Sequence, residues 1–233
     1  MELLRGSVKN RLLTALQPSE LESLLPELEP VAFRSRHVLF GVGDLARYVY
    51  FPQEALISLL ATMEDGRSTE VALTGGEGIV GIAEVLGAAT YRYTAAVVVP
   101  GSCIRMRLEK FKARFERDGD LQLPVLNYFR YLFVQLSQTA ACNRLHRVRH
   151  RLARRLLMIQ DRLRRNEFPM THESLAIALG TPRPEVSFAA EVLRHFGMID
   201  YSRGRVVIVS REKLESAACE CYGVIHHEFL SLN

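Results

Sequence analysis

The sequence lacks the features that mark membrane-spanning and secreted proteins. No stretch approaches the roughly 20 apolar residues that a membrane span needs. The N-terminal residues contain no uninterrupted apolar segment followed by a small-residue cleavage site, so no secretion signal is predicted. The four cysteines are scattered without the framework of a disulfide-rich secreted domain, and free thiols are therefore expected. These absences predict a cytoplasmic protein that does not enter a membrane.

Histidines are scarce between Val31 and about Arg107, where short apolar runs alternate with turn signals. Regularly spaced runs and turns of this kind predict an antiparallel β jelly-roll barrel. Such a barrel could be a cupin-like enzyme, but a metal cupin needs clustered imidazole and carboxylate ligands, and this segment contains one histidine, His37. No metal site is therefore predicted in the barrel. The predicted strands run from Val38 to Phe40, Tyr48 to Phe51, Leu56 to Ala61, Ser68 to Leu73, Thr94 to Val99 and Ser102 to Met106.

A long helix is predicted from about Leu121 to His146. Its apolar residues form two stripes, of which the first has the alternating spacings of a coiled-coil seam. We assign this seam to a parallel homodimer, in which the polar Thr139 and Asn143 would fix the register. The second stripe would then pack on the barrel. The seam comprises Val125, Phe129, Leu132, Leu136, Thr139 and Asn143, and the second stripe comprises Leu126, Tyr128, Phe133 and Ala140.

Positive charge is concentrated in the C-terminal part of the chain. Residues 142 to 233 carry a formal charge of +5, whereas the preceding residues carry −1. Residues 142 to 167 alone contain nine arginines and two acids, while their apolar residues keep a helical spacing. A basic amphipathic helix of this kind predicts a polyanionic partner, and we expect Arg151 and Arg154 to contact phosphate.

The stretch from Met170 to Val209 predicts a helix, a tight turn, a second helix and a short hairpin. Thr171 can cap the first helix, and Gly180 can end it because glycine adopts the left-handed conformation without steric cost. Thr181 is predicted to cap the second helix, with Pro182 in its first turn. This arrangement is typical of a winged helix-turn-helix, which binds double-stranded DNA.

The outward face of the second helix is the candidate DNA reader. Apolar residues at helical spacing would bury its opposite face against the first helix. Arg203 and Gly204 form the turn signal between the two predicted wing strands, which gives the wing a basic tip. The predicted DNA-contacting residues of the reader and the wing are Thr181, Arg183, Glu185, Ser187, Phe188 and Arg203.

The C-terminal tail is predicted to begin with a helix at Arg211. It contains Cys219-Glu220-Cys221 and then His226-His227, which are residue types that bind zinc. A single Cys-x-Cys with adjacent histidines is weak evidence for a metal site, so none is assigned. A redox or metal role of Cys219 and Cys221 stays open.

With barrel, dimer helix and winged helix-turn-helix in this order, nearly the whole chain resembles the CRP/FNR family of bacterial transcription regulators. The likeness is carried by Gly78-Ile79-Val80-Gly81, by Val148 to Leu157, and by Leu179 to Val186. The resemblance implies a homodimer that binds a palindromic operator, with a ligand or other signal in the barrel altering the placement of the reader. It also makes RNA polymerase a candidate partner, and Arg183 matches the family's guanine-reading arginine.

The chain departs from the family's cyclic AMP-binding pattern. In the cyclic AMP receptors a glutamate after the second glycine binds the ribose hydroxyl, and an arginine and a serine bind the phosphate. The corresponding positions here are Ile82, Tyr93 and Thr94, with Arg92 one residue early. The resemblance therefore implies an effector other than cyclic AMP. The candidate effector-binding residues are Gly78, Gly81, Ile82, Arg92, Tyr93, Thr94 and Ser137, the last of these on the long helix.

These patterns together predict an α+β fold with an N-terminal antiparallel jelly-roll barrel, a long dimerisation helix and a C-terminal winged helix-turn-helix. The expected domains are a cyclic-nucleotide-binding-like sensor barrel at 1–120, the dimerisation helix at 121–146 and the DNA-binding domain at 147–233. The oxygen-sensing branch of the family holds an iron-sulfur cluster on N-terminal cysteines, but this chain has none before Cys103. Haem ligands are not readable from a motif, so the cofactor is unknown.

The predicted function is that of a homodimeric, sequence-specific transcription regulator without enzymatic activity. The alternative that the residues leave open is a cupin-like barrel enzyme that binds a small molecule and carries a vestigial C-terminal domain.

Overall fold

The computed structural model describes residues 8–117 and 119–232, which form two compact units. The first unit comprises the described residues up to Leu59, the segment Leu73–Phe133 and the chain end from Ser231. The second comprises Leu60–Ala72 and Val134–Leu230. Within the described residues, no helix combines the length and apolar character needed to cross a bilayer.

The first unit is built on a barrel of two antiparallel sheets. Its strands are β1 (Glu29–Phe33), β2 (Val38–Phe40), β3 (Tyr48–Pro52), β4 (Leu56–Thr62), β5 (Ser68–Thr74), β6 (Thr94–Val99) and β7 (Gly101–Arg107). The sheet orders are β1-β7-β3 and β2-β6-β4-β5. The end of β4 from Leu60 and the part of β5 up to Ala72 belong to the second unit. The six predicted strands are thus confirmed to within one residue at each end. The additional strand β1 pairs with β7 from Glu29 opposite Arg105 to Phe33 opposite Gly101.

Alternation along the strands places the core inside the barrel. In β6, the side chains of Ala95, Val97 and Val99 are buried while the residues between them are partly exposed, because successive residues of a strand point to opposite faces. Phe51 of β3 packs on Phe111 with their ring centroids 5.7 Å apart. The barrel interior is therefore apolar and aromatic.

The helices of the first unit are short except for the last. They are α1 (Arg11–Thr14), α2 (Pro18–Leu24), α3 (Ile82–Val85), α4 (Leu108–Phe115) and α5 (Gln122–Leu145), and α5 continues into the second unit. Asn10 caps α1, and its side-chain amide donates to the carbonyls of Pro52 and Gly78 over 2.8 and 2.9 Å. Because Asn10 is fully buried, these bonds fix the N-terminal helix against the barrel.

The buried face of α5 agrees with the predicted stripes at Tyr128, which is 1% exposed, and at Phe129, which is 39% exposed, but differs from them at most other positions. Val125, Leu132 and Thr139 of the predicted dimer seam are buried, whereas Leu126 and Phe133 of the second stripe are 48% and 64% exposed. The two stripes are one residue apart, and one residue corresponds to about 100° of rotation around a helix. The apolar stripe that remains exposed on α5 consists of Leu126, Phe129, Phe133 and Ala140.

The second unit contains the predicted helix-turn-helix and hairpin. Its helices are α6 (Val148–Leu163), α7 (His172–Leu179), α8 (Arg183–His195), α9 (Arg211–Ala217) and α10 (Cys221–Leu230). A small sheet, ordered β8-β10-β9, is formed by β8 (Glu167–Pro169), β9 (Ile199–Ser202) and β10 (Arg205–Ile208). The hairpin of β9 and β10 is the predicted wing, and β8 is a third strand that the sequence did not indicate.

Local backbone chemistry sets the boundaries of the helix-turn-helix. Thr171 caps α7 in a reciprocal capping box with Ser174. Gly180 ends α7 at φ +56°, and a Cβ atom there would lie 2.7 Å from the Thr69 hydroxyl oxygen, so the site excludes larger residues. The predicted cap of α8 is wrong by one residue. Pro182 is its N-cap, and Thr181 lies before it.

Candidate functional site

The first half of α8 presents the exposed side chains of the helix-turn-helix. Arg183, Glu185 and Phe188 are exposed, and Phe188 is 73% accessible although it is apolar. The Thr181 hydroxyl donates to the Glu185 carboxylate over 2.8 Å, which fixes this acid at the start of the helix. In the described part of the chain, Arg183 forms no ion pair. The opposite face is buried as predicted and consists of Val186, Ala189, Ala190 and Leu193.

Ser187 forms a hydrogen bond with His172 of the same unit. Its hydroxyl shares a 2.9 Å hydrogen bond with Nδ1 of His172, whose ring stacks on Tyr201 at a centroid distance of 4.1 Å. Burial, together with the nearby charge of Arg183, lowers the pKa of His172. The neutral imidazole therefore joins α7, α8 and the first wing strand, and Ser187 serves this junction.

The wing ends in the predicted turn. Arg203 has φ +47° and Gly204 has φ +75°, the pair of positive values that a two-residue type I′ hairpin requires. Arg203 is exposed at the tip. The structure thus brings the candidates Thr181, Arg183, Glu185, Ser187, Phe188 and Arg203 into one winged helix-turn-helix.

The arginines expected to contact phosphate are buried instead. Arg151 and Arg154 are 7% and 5% exposed. Arg151 donates to the carbonyl of Leu179 at the end of α7, and Arg154 donates to the Thr139 hydroxyl over 3.3 Å. This placement corrects the expectation, because both guanidiniums are committed to partners inside the unit and neither reaches the surface in this structure.

Two other arginines lie beside the reader. Arg147 and Arg149, at the start of α6, are exposed and line a groove of about 530 Å³ together with Glu185 and Phe188 of α8. In the sequence, both belong to the same run of arginines as Arg151, and nothing in that run indicates which of its arginines are exposed. Arg147 and Arg149 are therefore exposed cations that line the same groove as the first half of α8.

Two glycines of the candidate effector segment have packing roles. A Cβ atom on Gly78 would lie 1.9 Å from the ring of Tyr128, whose hydroxyl is 2.9 Å from the Thr74 hydroxyl. Gly81 adopts φ +100° at the start of α3, where a Cβ would approach the Tyr48 carbonyl oxygen to 3.2 Å. Packing at Gly78 and the positive φ of Gly81 therefore disfavour any larger residue at both positions, irrespective of a ligand.

The barrel buries an acid that the sequence analysis missed. Glu84 in α3 is completely buried, one of its carboxyl oxygens accepts from the Tyr93 hydroxyl over 3.1 Å, and the other has no partner among the described residues. Burial raises the pKa of Glu84. Burial and the adjacent Glu84 raise the pKa of Tyr93 as well. The sequence signal for Glu84 was its position two residues after Ile82, in the segment that resembles the cyclic-nucleotide motif.

Aromatic rings occupy the space near this acid. Tyr91 stacks on Phe40 with a centroid distance of 3.5 Å and donates to the Tyr48 carbonyl over 2.7 Å. Burial, with a smaller contribution from Tyr91, raises the pKa of Tyr50 to about 12. A cavity of about 370 Å³ lies beside these rings and is lined by Leu39, Phe40, Asp44, Leu45, Arg47, Tyr48, Tyr50 and Tyr91.

The remaining effector candidates are dispersed. Ile82 is buried in α3, Thr94 is half-buried at the start of β6, and Arg92 is exposed. Ser137 is exposed on the part of α5 that belongs to the second unit. None of these candidates lines the 370 Å³ cavity.

One cluster of metal-binding residue types occurs among the described residues, and it lies in the second unit. It consists of Cys142, His146, Cys219 and Cys221. The tail histidines are not part of it, because His226 pairs with Asp161 over 3.1 Å and His227 is exposed.

Comparison with protein families matches both halves of the chain. The model described as a cyclic nucleotide-binding domain matches residues 30–118, and the model described as a Crp-like helix-turn-helix domain matches residues 150–217. A comparison with curated protein sequences finds no significant match.

Solved structures share the fold at low sequence identity. A CRP-family transcriptional regulator from Thermus thermophilus is 22% identical, with a TM-score of 0.69 over 81% of this chain and 96% of that chain. FixK2 from Bradyrhizobium japonicum is 16% identical, with a TM-score of 0.71 over 82% and 98%. The c-di-GMP-responsive global regulator CLP of Xanthomonas campestris is also 16% identical, with a TM-score of 0.67 over 83% and 100%.

Proposed function

Because the chain belongs to the CRP/FNR family of bacterial transcription regulators, we propose that it acts as a homodimer on a palindromic operator in the cytoplasm. Regulators of this family are non-enzymatic DNA-binding proteins, which removes the cupin-like enzyme from consideration. In the proposed complex, α8 enters the major groove and the tip of the wing contacts the DNA backbone. RNA polymerase is a further partner within this proposal.

The observation that carries the proposal is the free Arg183 at the exposed start of α8. An arginine in this position can donate two hydrogen bonds to O6 and N7 of guanine. Glu185, held by Thr181 over 2.8 Å, is placed beside it as an acceptor for cytosine N4. The exposed ring of Phe188 offers an apolar contact for a thymine methyl group.

The test is selection of operators from a random duplex pool with the full-length protein, followed by gel shifts of Arg183→Ala. A bidentate guanine contact contributes about 1 to 3 kcal/mol of discrimination, so we expect about 5- to 150-fold weaker binding to the selected duplex. Binding to random duplex should change little. Arg194→Ala is the matched control, because Arg194 is exposed at the other end of α8 and pairs with Glu191. Equal losses on both duplexes would make Arg183 a phosphate contact only.

We further propose that the dimer forms along the exposed apolar stripe of α5. Members of this family are typically dimeric. Leu126 and Phe133 are large apolar residues left accessible on one helix face, and a contiguous apolar patch of this kind is typical of an interaction surface. A parallel pairing along α5 would place the two readers about 34 Å apart, the distance between successive major grooves.

The effector that we propose for the barrel is not cyclic AMP. Ile82 cannot accept a hydrogen bond from a ribose hydroxyl, and Arg92 is exposed instead of placed in the interior. Glu84, two residues after Ile82 in the same segment, adds a buried carboxyl, which cannot supply the positive charge that a phosphate needs. A buried hydroxyl without a partner costs about 1 to 3 kcal/mol, and a lost charge-assisted bond costs at least as much.

These losses are expected to weaken cyclic AMP binding by about two to four orders of magnitude relative to a complete site. Isothermal titration of the full-length protein with cyclic AMP, cyclic GMP and c-di-GMP measures this directly. A micromolar or tighter dissociation constant for cyclic AMP would overturn the proposal for the barrel and leave the DNA-binding proposal unaffected.

A further inference from the structure

Three cysteines and one histidine from distant parts of the sequence meet in the second unit. Cys142 lies in the last turn of α5 and His146 directly follows that helix, whereas Cys219 and Cys221 lie between the end of α9 and the first residue of α10. All three cysteines are buried and reduced, and the four ligand atoms lie within 4.8 Å of one another. We infer that Cys142, His146, Cys219 and Cys221 bind a single structural Zn²⁺ ion.

The distances suit one tetrahedral ion. Zinc binds sulfur at about 2.3 Å and nitrogen at about 2.0 Å, so neighbouring ligand atoms around it are separated by about 3.5 to 3.8 Å. Here the Sγ atoms of Cys142 and Cys219 are 3.4 Å apart, and Sγ of Cys221 is 3.7 Å from Nδ1 of His146. In contrast, the thiolates of a four-iron cluster each bind a different iron atom and are therefore farther apart than the ligands of one ion.

The backbone brings the ligands together in two pairs. His146 directly follows α5, and its backbone N–H donates to the Cys142 carbonyl over 3.1 Å, which continues the helical turn and brings the two side chains to the same side. Cys219 lies in the short connection between α9 and α10, and Cys221 is the first residue of α10. A set of four protein ligands leaves no open position for substrate, which is typical of structural zinc sites.

The histidine also has the partner that a metal ligand needs. Its Nδ1 faces Cys221, while its Nε2 lies 3.2 Å from a carboxylate oxygen of Glu220. When one ring nitrogen binds a metal, the other nitrogen commonly donates its proton to a carboxylate, which fixes the tautomer and orientation of the ring. Glu220 therefore orients His146 toward the three sulfur atoms.

A buried positive charge completes the site. Zn²⁺ with three thiolates and a neutral imidazole has a net charge of −1. Arg154 is 5% exposed, and its described contacts are the Thr139 hydroxyl and the Met158 sulfur, with no carboxylate among them. A buried guanidinium needs a compensating charge. Arg154 lies close enough to Cys142, Cys219 and Cys221 to interact with all three electrostatically.

A disulfide accounts for fewer of these features. The separation of 3.4 Å between Cys142 and Cys219 exceeds the S–S bond length of about 2.05 Å. A disulfide would also leave Cys221, His146 and the charge of Arg154 without a role. A zinc ion uses all of them, and it joins the end of α5 to a segment 77 residues later in the sequence.

The test uses untagged full-length protein purified with a reductant and without chelator. Elemental analysis should find about one zinc per chain, and replacement by Co²⁺ should give the intense visible and near-ultraviolet absorption of tetrahedral cobalt thiolate. Cys142→Ser and His146→Ala should lose most of the metal. The matched controls are Cys103→Ser, a buried cysteine of the barrel, and His227→Ala, an exposed histidine; both should keep it.

One further variant separates loss of metal from loss of folding. His146→Cys preserves four ligands, so it should still bind one Co²⁺ per chain but with a stronger sulfur-to-cobalt charge-transfer band. Failure of the reduced wild-type protein to bind Co²⁺ would overturn the inference, as would wild-type binding by both Cys142→Ser and His146→Ala. A Cys142–Cys219 disulfide found by mass spectrometry in freshly isolated protein would replace it with a redox role. None of these measurements depends on DNA binding.

Discussion

The two compact units differ in the ionisable side chains that they bury. The barrel buries the carboxyl of Glu84 against the phenol of Tyr93, and burial favours the protonated, neutral form of that acid. The second unit buries the guanidiniums of Arg151, Arg154 and Arg155, which cannot lose their charge in practice. At Glu84 the barrel thus holds a neutral acid, whereas the second unit must compensate for the charge of its buried guanidiniums.

This difference shows in the partners of the buried groups. Glu84 in the barrel bonds to the Tyr93 hydroxyl and is favoured as a neutral acid. In the second unit every buried guanidinium has a described polar partner: the Leu179 carbonyl, the Thr139 hydroxyl or the Glu70 carboxylate. Partners of this kind allow these three cations to be buried, whereas Arg147, Arg149 and Arg183 are exposed at the surface.

The largest effect is expected from removing a partner of a buried cation. Arg155 donates to Glu70, and their side chains are only 4% and 10% exposed. Glu70→Ala leaves the guanidinium buried and unpaired, which should lower the free energy of unfolding by about 3 to 5 kcal/mol. Chemical unfolding followed by circular dichroism measures the change.

Two controls accompany the Glu70 variant. Glu70→Leu combined with Arg155→Met removes both charges and should recover most of the loss. Glu191→Ala breaks the exposed pair with Arg194 and should leave the unfolding free energy nearly unchanged, because solvent screens this pair. A loss below about 1 kcal/mol in Glu70→Ala would show that the second unit tolerates a buried guanidinium without its carboxylate partner.

A second effect, on dimer dissociation, is expected from a charge on the exposed stripe of α5, because only dimer formation would bury it. Phe133→Glu places a carboxylate on the exposed apolar stripe of α5, so it should leave the fold intact and raise the dimer dissociation constant by at least about 100-fold, or about 2.7 kcal/mol. Sedimentation at micromolar concentration should then show monomers. Asn127→Glu, an exposed position on another face of α5, should remain dimeric. A dimeric Phe133→Glu protein would place the interface elsewhere.

The smallest effect concerns the neutral acid of the barrel. Because Glu84 has a raised pKa in the folded state, folded protein holds this proton at pH values where the unfolded chain, with a pKa near 4.5, has released it. The stability contributed by the neutral acid is thus complete below pH 4.5 and declines as pH rises through the folded-state pKa.

Glu84→Gln cannot ionise, so it should be more stable than the wild type at pH 8, by on the order of 1 kcal/mol, and should lose this advantage at pH 4. Thermal unfolding over this pH range checks the prediction. An advantage that is the same at every pH would indicate a packing effect and no ionisation of Glu84.

Turn chemistry and alternation predicted most strands of the barrel, but they missed two strands with weak signals. β1 begins with Glu29-Pro30, an unfavourable start for a strand, and it is held by pairing with β7. β8 has three residues and ends at a proline, so its sequence contains no measurable period. Both are specified by their partner strands, and a sequence pattern contains no information about a partner.

The errors at the candidate sites have the same origin. On α5 two apolar stripes lie one residue apart, and only tertiary packing decides that Val125 and Leu132 face the core. Arg151 and Arg154 looked like surface residues because charge runs usually are, yet carbonyl and hydroxyl partners from other elements allow their burial. The cysteine cluster combines residues 77 positions apart, which no local motif can reveal.

The packing of Gly180 against Thr69 couples two positions that are far apart in the sequence. Any side chain at this position would meet the Thr69 hydroxyl at 2.7 Å and would also have to adopt φ +56°. A smaller residue at 69 removes the first penalty but leaves the backbone penalty, which is about 1 kcal/mol for an alanine in the left-handed region. Intragenic suppressors of Gly180 substitutions can therefore arise in the segment Leu60–Ala72 but can restore only part of the lost function. The two positions consequently constrain each other's evolution, although they lie far apart in the gene.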